Sequence, residues 1–423
     1  MIFETATTLL MGGISAYAYL KQHGSTNDSD KIQKIFTLAG LNQRDGKKVY
    51  TTELVRKKEQ TWGVEYVYRI PLGKEFKDYQ AKLGVIQDGL SVRADKSLLS
   101  KITKKKKIHT KEVELTYDGM LHVKVYHQAF PKEIPYLIEE LSGWRVPLGV
   151  TRDGTEKYID FEDTPHVVLG GATRYGKSNL LNSIVTSLVY NQARNVEFTF
   201  IDLKGGVELS DYECMQQTHS IAYEPEEALQ SLKKAYLSMR TIQEKLKQKG
   251  AKKVQSAHIY KRHFVIIDEV GELNPSEAIS KEDKKIKEEC QKYMSQIARL
   301  GAGLGFRLIC ATQYPTGDVI PRTVKQNSDA KLCFRVQGEV ASRVVLDSQG
   351  AEQLPAIKGR AILQMADRRE TVQTYLINNE VINQVVSPYI TNESKREGVT
   401  NEEILDGETG ADTFVIEETY FSE

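Results

Sequence analysis

The chain has 423 residues, with 58 Lys and Arg against 57 Asp and Glu, so its formal net charge is only +1 and no bulk electrostatic attraction to nucleic acid or membrane can be read from that total. At 40% hydrophobic and 27% charged it is neither a disordered tail nor a polytopic membrane protein, and its length suggests about two to four domains, each with a core of its own. Cys214, Cys290, Cys310 and Cys333 fit no zinc-ligand spacing and no dense disulfide framework, which points to a reducing, cytoplasmic home for the bulk of the chain.

Residues 5–20, TATTLLMGGISAYAYL, are apolar and uncharged between Glu4 and Lys21. As a helix they reach about 24 Å at ~1.5 Å per residue, short of a ~30 Å hydrocarbon core unless flanking residues snorkel or the bilayer thins. Two readings stay open for segment 1–24: a membrane anchor, or a helix packed on a protein surface or partner. For an anchor, Lys21, Lys31 and Lys34 follow the apolar run, and the bias of positive charge toward the cytoplasm holds the rest of the chain at the inner face of the membrane. No Lys or Arg precedes the run, which speaks against a secretory signal.

Residues 25–145 read as a small α+β domain. Gly63 to Gly73 alternates apolar and polar residues as a half-buried strand does, and Val113 to His127 reads as two strands around Asp118 and Gly119. Between them Phe76, Tyr79, Leu83, Ile86 and Leu90 recur at helical spacing. His109, His122 and His127 have no Cys, Asp or Glu cluster and read as surface or strand histidines. Five of the seven residues from Lys101 to Lys107 are Lys, a run that usually marks a solvated face.

From Pro165 apolar runs alternate with helical patterns, which argues α/β with a parallel sheet. Gly171-Ala172-Thr173-Arg174-Tyr175-Gly176-Lys177-Ser178 fits G-x-x-x-x-G-K-[ST] between a strand and a helix, the context this motif requires. Glycines let backbone N–H groups and a helix N-terminus face phosphates, Lys177 adds a cation, and Ser178 can ligate Mg²⁺. His263-Phe-Val-Ile-Ile-Asp268-Glu269 delivers two carboxylates to a strand end, Asp268 to hold Mg²⁺ through water and Glu269 to orient and deprotonate an attacking water. Val196 to Gly206 ends in Asp202 and Lys204, and Phe306 to Gln313 ends in Thr312 and Gln313, which places Gln313 as a sensor of the γ-phosphate of ATP. A long amphipathic helix is expected from Pro225 to Gly250.

These motifs resemble the FtsK/SpoIIIE family of hexameric double-stranded DNA translocases. PHVVLGGATRYGKS, IDLKGGVEL, VIIDEVGEL, IARLGAGLGFRLICATQYPTGDVIPRTVKQN and SRVVLDSQGAEQLPAIKGRAIL follow in family order from about Val146 to Leu376. The resemblance implies an α/β, RecA-like P-loop NTPase motor over 146–390, with a mainly parallel sheet, preceded by the small α+β domain. It also implies ATP completed by an arginine from the next subunit, for which Arg299, Arg307 and Arg335 are candidates; Arg343 reads as a structural member of its segment. Within the loop from Asp318, Arg322 and Lys325 are candidate contacts to DNA phosphates, with surface charge as the plainer alternative.

Two departures narrow the type. Arg174-Tyr175 stand where chromosomal members usually carry small residues, a variant that resembles motors of Gram-positive plasmids, phages and conjugative elements. Residues 391–423 are expected to form an acidic, largely disordered tail; 400–423 hold eight acidic residues and no Lys or Arg, so the remainder carries +9. That tail is too short for the winged-helix module of chromosomal translocases, and reads as a docking or a solubilising segment. The favoured expectation is a hexameric coupling protein that delivers a relaxase-bound mobile element to a conjugation pore, or serves the element's maintenance. A secretion ATPase of the same motor fold moving polypeptide is the alternative, and a nucleotide-gated scaffold is disfavoured by the intact Asp268-Glu269 pair.

Overall fold

A computed structural model describes residues 28–91, 111–313, 315, 317, 319–392 and 394–396. The apolar segment 5–20, the lysine run 101–107, Asp318 and the acidic residues 400–423 lie outside the described residues. Among the described residues no helix is long and apolar enough to cross a membrane. The chain divides into two compact units at Phe130 and Pro131.

The first unit contains α1 (Asp28–Leu38), β1 (Gln43–Asp45), β2 (Lys48–Tyr50), β3 (Glu53–Gln60), β4 (Gly63–Arg69), α2 (Phe76–Gln80), α3 (Leu83–Leu90), β5 (Glu112–Tyr117) and β6 (Leu121–Tyr126). Its antiparallel sheet has the order β3-β4-β6-β5. One sheet face buries Tyr66, Tyr68, Leu121 and Val123 against Ile32, Phe36 and Ile86 of the helices, the period-2 pattern at work. The helix expected through Leu90 is broken at Ala81 and Lys82, which cap α2 and α3 respectively.

The second unit continues with β7 (Arg145–Thr151), β8 (Glu156–Asp160), β9 (His166–Gly170), α4 (Lys177–Gln192), β10 (Val196–Ile201), β11 (Thr218–Ala222), α5 (Pro225–Gln248), β12 (Arg262–Ile267), α6 (Lys281–Leu304), β13 (Phe306–Thr312), α7 (Arg322–Asn327), β14 (Ala330–Phe334), α8 (Glu339–Leu346), β15 (Arg360–Gln364), β16 (Arg369–Thr374) and α9 (Asn379–Val386). These strands form one ten-stranded sheet, β11-β10-β12-β13-β9-β14-β15-β16-β7-β8. It is parallel from β11 to β14 and antiparallel beyond. Successive strand residues feed opposite cores: Phe264 and Ile266 pack with Leu181 and Val185 of α4, whereas Val265 and Ile267 pack with Leu232 of α5 and Met294 of α6. Burial on both faces is why these strands read as continuous apolar runs.

Residues 131–144, placed by sequence with the small domain, belong to the second unit. The Tyr136 N–H donates to the Leu376 carbonyl at 2.8 Å, and Trp144 enters the core beside Phe264. Helix α5 begins with Pro225 under a reciprocal cap between Glu224 and Glu227 and ends near Lys245 and Lys247, the polarity expected of helix termini.

Candidate nucleotide-binding site

Strands β10 and β12 end side by side, with Ile201 beside Ile267, and β13 and β9 end together two residues further on, with Ile267 beside Cys310 and Thr312 beside Gly170. The next residues in each segment therefore reach one edge of the sheet: Asp202, Asp268, Gln313 and Gly171. This carboxyl edge is where open α/β sheets bind ligands.

The loop after β9 is fixed on both neighbouring strands, since Gly171 N–H donates to the Thr312 carbonyl (3.2 Å) and Ala172 N–H to the Arg335 carbonyl (3.0 Å). Thr173 and Arg174 are exposed. Arg174 has φ 72°, a left-handed conformation that costs a non-glycine residue about 1–2 kcal/mol. Gly176, at φ 117°, caps α4, and a Cβ there would lie 3.2 Å from the Gly359 nitrogen. Glycine thus lets the loop close on Gly359, whose N–H donates to the Tyr175 carbonyl at 2.9 Å. The first N–H groups of α4 have no intrahelical acceptor and carry the positive end of the macrodipole.

A cavity of about 360 Å³ opens over this helix start, lined by Thr173, Lys177, Ser178, Glu208, Gln313 and the strand end from Gln373 to Leu376. The far wall is tied to α4: Asn179 Nδ2 donates to the Ile377 carbonyl (2.8 Å). Lys177, only 3% exposed, donates through Nζ to the Asp268 carbonyl at 2.8 Å and pairs with Asp268 Oδ1. Asp268 and Glu269 lie outside the described lining of the cavity, at 0% and 2% exposure. Glu269 Oε2 accepts the Gln313 N–H (2.8 Å) and stands 3.2 Å from Lys204 Nζ, while Oε1 accepts the Gly271 N–H (3.3 Å). Gln313 Oε1 in turn accepts from the Thr173 hydroxyl at 3.0 Å.

The fit to a divalent cation rests on Asp268 Oδ2, a buried oxygen with no hydrogen-bond donor among the described residues. An orphaned oxygen on the carboxylate that pairs with Lys177, the residue before Ser178, is a hard-oxygen donor of the kind Mg²⁺ takes.

Arg307 is a correction. It is fully buried and donates to Glu162 Oε1 at 2.9 Å and to the Ala302 and Phe306 carbonyls. It lies at the start of β13, the opposite edge from Gln313, so its guanidinium is structural and is not offered to another subunit. Arg335 is half-buried and donates through Nη1 to the Leu354 carbonyl beside its own P-loop. Arg299 is exposed on α6, bonded to Gln296 at 2.7 Å. Arg322 is exposed in the first turn of α7, whereas Lys325 pairs with Asp347 at 2.6 Å.

Residues 140–273 match the model of the FtsK/SpoIIIE family. The chain carries an FtsK/SpoIIIE family domain. It is 29% identical over 215 residues to DNA translocase FtsK of Chlorobaculum tepidum, covering 46% of this chain and 25% of that protein. With DNA translocase SpoIIIE of Bacillus subtilis the identity is 28% over 282 residues, 62% of this chain and 34% of that protein. The chain thus spans a quarter to a third of the length of these curated relatives. Among solved structures, the pCW3 conjugation coupling protein TcpA with ATPgS aligns at a TM-score of 0.59 and 22% identity, over 85% of this chain and 98% of that one. The cytoplasmic domain of the Thermomonospora curvata type VII secretion ATPase EccC aligns at 0.51 and 23%, over 62% of this chain and 32% of that one. The fold of the FtsK/SpoIIIE domain is accordingly that of a RecA-like P-loop ATPase motor.

Around this site, sequence reasoning placed Asp202 and Lys204 at a strand end without giving them a role, and it missed the cavity's far wall. Asp202 Oδ2 accepts the Glu208 and Leu209 N–H groups, both at 2.8 Å, which folds the loop after β10 back on itself. The far wall arises from the pairing of β16 with β7 and the tie of Asn179 to Ile377, long-range events for which local sequence holds no signal.

Proposed function

We propose that the chain is an ATP-hydrolysing, Mg²⁺-dependent DNA translocase. The observation that carries this reading is the meeting of Lys177, Ser178, Asp268, Glu269 and Gln313 at one sheet edge, beside a helix N-terminus. In it, residues Gly171 to Ser178 cradle the phosphates, with Lys177 exchanging Asp268 for them. Ser178 and Asp268 hold magnesium, which when bound supplies positive charge against the phosphate oxygens. Glu269 orients and deprotonates the water, and Gln313 reads the γ-phosphate.

The finer assignment is a homo-hexameric coupling protein for conjugative transfer or maintenance of a mobile element. The likeness to TcpA over 85% of the chain supports it. Arg299 and Arg335 are the arginines proposed to act in trans; of the two, Arg299 has the more exposed side chain. Arg322, and Lys325 once released from Asp347, grip DNA phosphates. Recruitment of a relaxase or conjugation machinery, a cytoplasmic location and a membrane contact through residues 5–20 belong to the same proposal.

A polypeptide track is the second reading, favoured by the likeness to EccC. The test is ATP hydrolysis with and without linear duplex DNA. The proposal expects DNA to raise the wild-type rate and Glu269→Gln to retain ATP without turnover; a Glu269→Gln rate equal to wild type overturns it. DNA binding that weakens steeply with salt supports the DNA track, and binding too weak to detect at low salt supports the polypeptide track.

A further inference from the structure

Glu269 is turned away from the place where it is proposed to act. Its oxygens accept the Gln313 N–H, from the end of the neighbouring strand β13, and the Gly271 N–H, from the turn after its own strand β12. The third partner, Lys204, comes from the loop after β10 and is the one that carries charge. The Lys204 ammonium is buried, has no hydrogen-bond acceptor among the described residues, and stands 3.2 Å from Glu269 Oε2 and 4.0 Å from Asp268 Oδ2. A cation is retained in such a place only where nearby negative charge compensates its desolvation. Lys177 already pairs with Asp268, so Lys204 is the cation left to Glu269.

The loop carrying Lys204 is tied to the cavity wall through Asp202. Asp202 is fully buried and accepts N–H groups from both ends of that loop, Lys204 at 3.4 Å and Glu208 at 2.8 Å. Glu208 lines the nucleotide cavity, whereas Lys204 lies outside its described lining. Asp202 thus joins Glu208, on the cavity wall, to the backbone of Lys204.

We propose that Lys204 is a positioning residue that holds Glu269 idle while the cavity is empty, and that nucleotide releases this hold through Glu208 and Asp202. The inference rests on the reading of Glu269 as the residue that activates water. It couples hydrolysis to occupancy: a filled cavity frees the carboxylate, and an empty one keeps it on Gln313, Gly271 and Lys204.

The test compares wild type with Lys204→Met, which keeps length without charge, and Lys204→Arg, which keeps charge. In nucleotide-free full-length protein, amide hydrogen exchange at Gln313 is expected to speed up in Lys204→Met and to stay at the wild-type rate in Lys204→Arg. In steady-state kinetics without DNA, KM for ATP of Lys204→Met is expected to fall about tenfold, because ATP no longer has to break the hold on Glu269, with kcat within about twofold of wild type. Lys204→Arg is expected to behave as wild type. Unchanged exchange at Gln313, or a DNA-free KM for ATP at or above wild type in Lys204→Met, overturns the proposal. A purely structural lysine would instead lower kcat and speed exchange along the whole of β12 and β13. If wild type hydrolyses no ATP, the reading of the site fails, and the exchange at Gln313 still decides whether Lys204 holds Glu269.

Discussion

The pair with Asp268 gives Lys177 a structural role beside the one proposed for it at the phosphates, and a double-mutant cycle with Asp268 measures that. Asp268 and Glu269 are two adjacent buried carboxylates, balanced by Lys177 and Lys204. Two unit charges at 4 Å attract by about 4 kcal/mol at an effective dielectric near 20. Removing one partner of a buried pair leaves the other uncompensated, at a loss of about 3–5 kcal/mol. Lys177→Met and Asp268→Asn are each expected to lose roughly 3 kcal/mol, and the double variant about the same as either single, a coupling near 3 kcal/mol. For a unit of this size that places each variant about 6–12 °C below wild type in thermal unfolding without nucleotide and with EDTA. Single variants melting within about 2 °C of wild type, or a double variant equal to the sum of the singles, would refute the reasoning.

The other expectations concern separate parts of the second unit. Burial pushes the His166 imidazole down to about 3, with Arg307 adding to it, while its Nδ1 accepts the Leu308 N–H at 3.0 Å. The unfolded chain binds the proton first, so His166 contributes fully above its ordinary value near 6.5 and loses stability as pH falls toward 3. Chemical denaturation should show a slope of up to ~1.4 kcal/mol per pH unit from this residue, flattened in His166→Gln; an unchanged slope counts against it. A Cβ on Gly359, at φ 78°, would stand 2.5 Å from Gln373 Nε2. Gly359→Ala is therefore expected to destabilise by about 1–3 kcal/mol and to raise KM for ATP, and an unaltered KM would show that this wall does not shape the cavity. Arg307→Ala should destabilise by about 3–5 kcal/mol by leaving buried polar partners unmatched, whereas Arg299→Ala should leave the melting temperature unchanged and lower turnover. Equal melting temperatures for the two variants would reverse these roles.

The site was legible where chemistry is local. An apolar run followed by Gly171 to Ser178, or by Asp268 and Glu269, states both the strand and the residues that its end presents. The limits of α5 were legible through Pro225 and its terminal lysines. Arg307 shows where local reading failed although a signal existed: it lies six positions before Gln313, so at ~3.3 Å per strand residue it stands about 20 Å from the ligand edge. Segment 131–144 was misplaced because its ties to Leu376 and to Phe264 are non-local. The break between α2 and α3 was hidden because Phe76, Tyr79, Leu83, Ile86 and Leu90 keep helical spacing across it. For Lys204, the motif around Asp202 gave the residue but not its partner, since the approach to Glu269 depends on β10 lying beside β12.

The central claim is that nucleotide turnover at this sheet edge moves the protein along DNA. Displacement of a third strand from a duplex–triplex DNA substrate measures this directly, because it needs directed movement and not binding alone. Wild-type protein with ATP and Mg²⁺ is expected to release the third strand, and the Glu269→Gln protein, bound to the same DNA with ATP, is expected to leave it in place. Release by Glu269→Gln at the wild-type rate, or DNA-bound wild-type protein that hydrolyses ATP without releasing the strand, would contradict it.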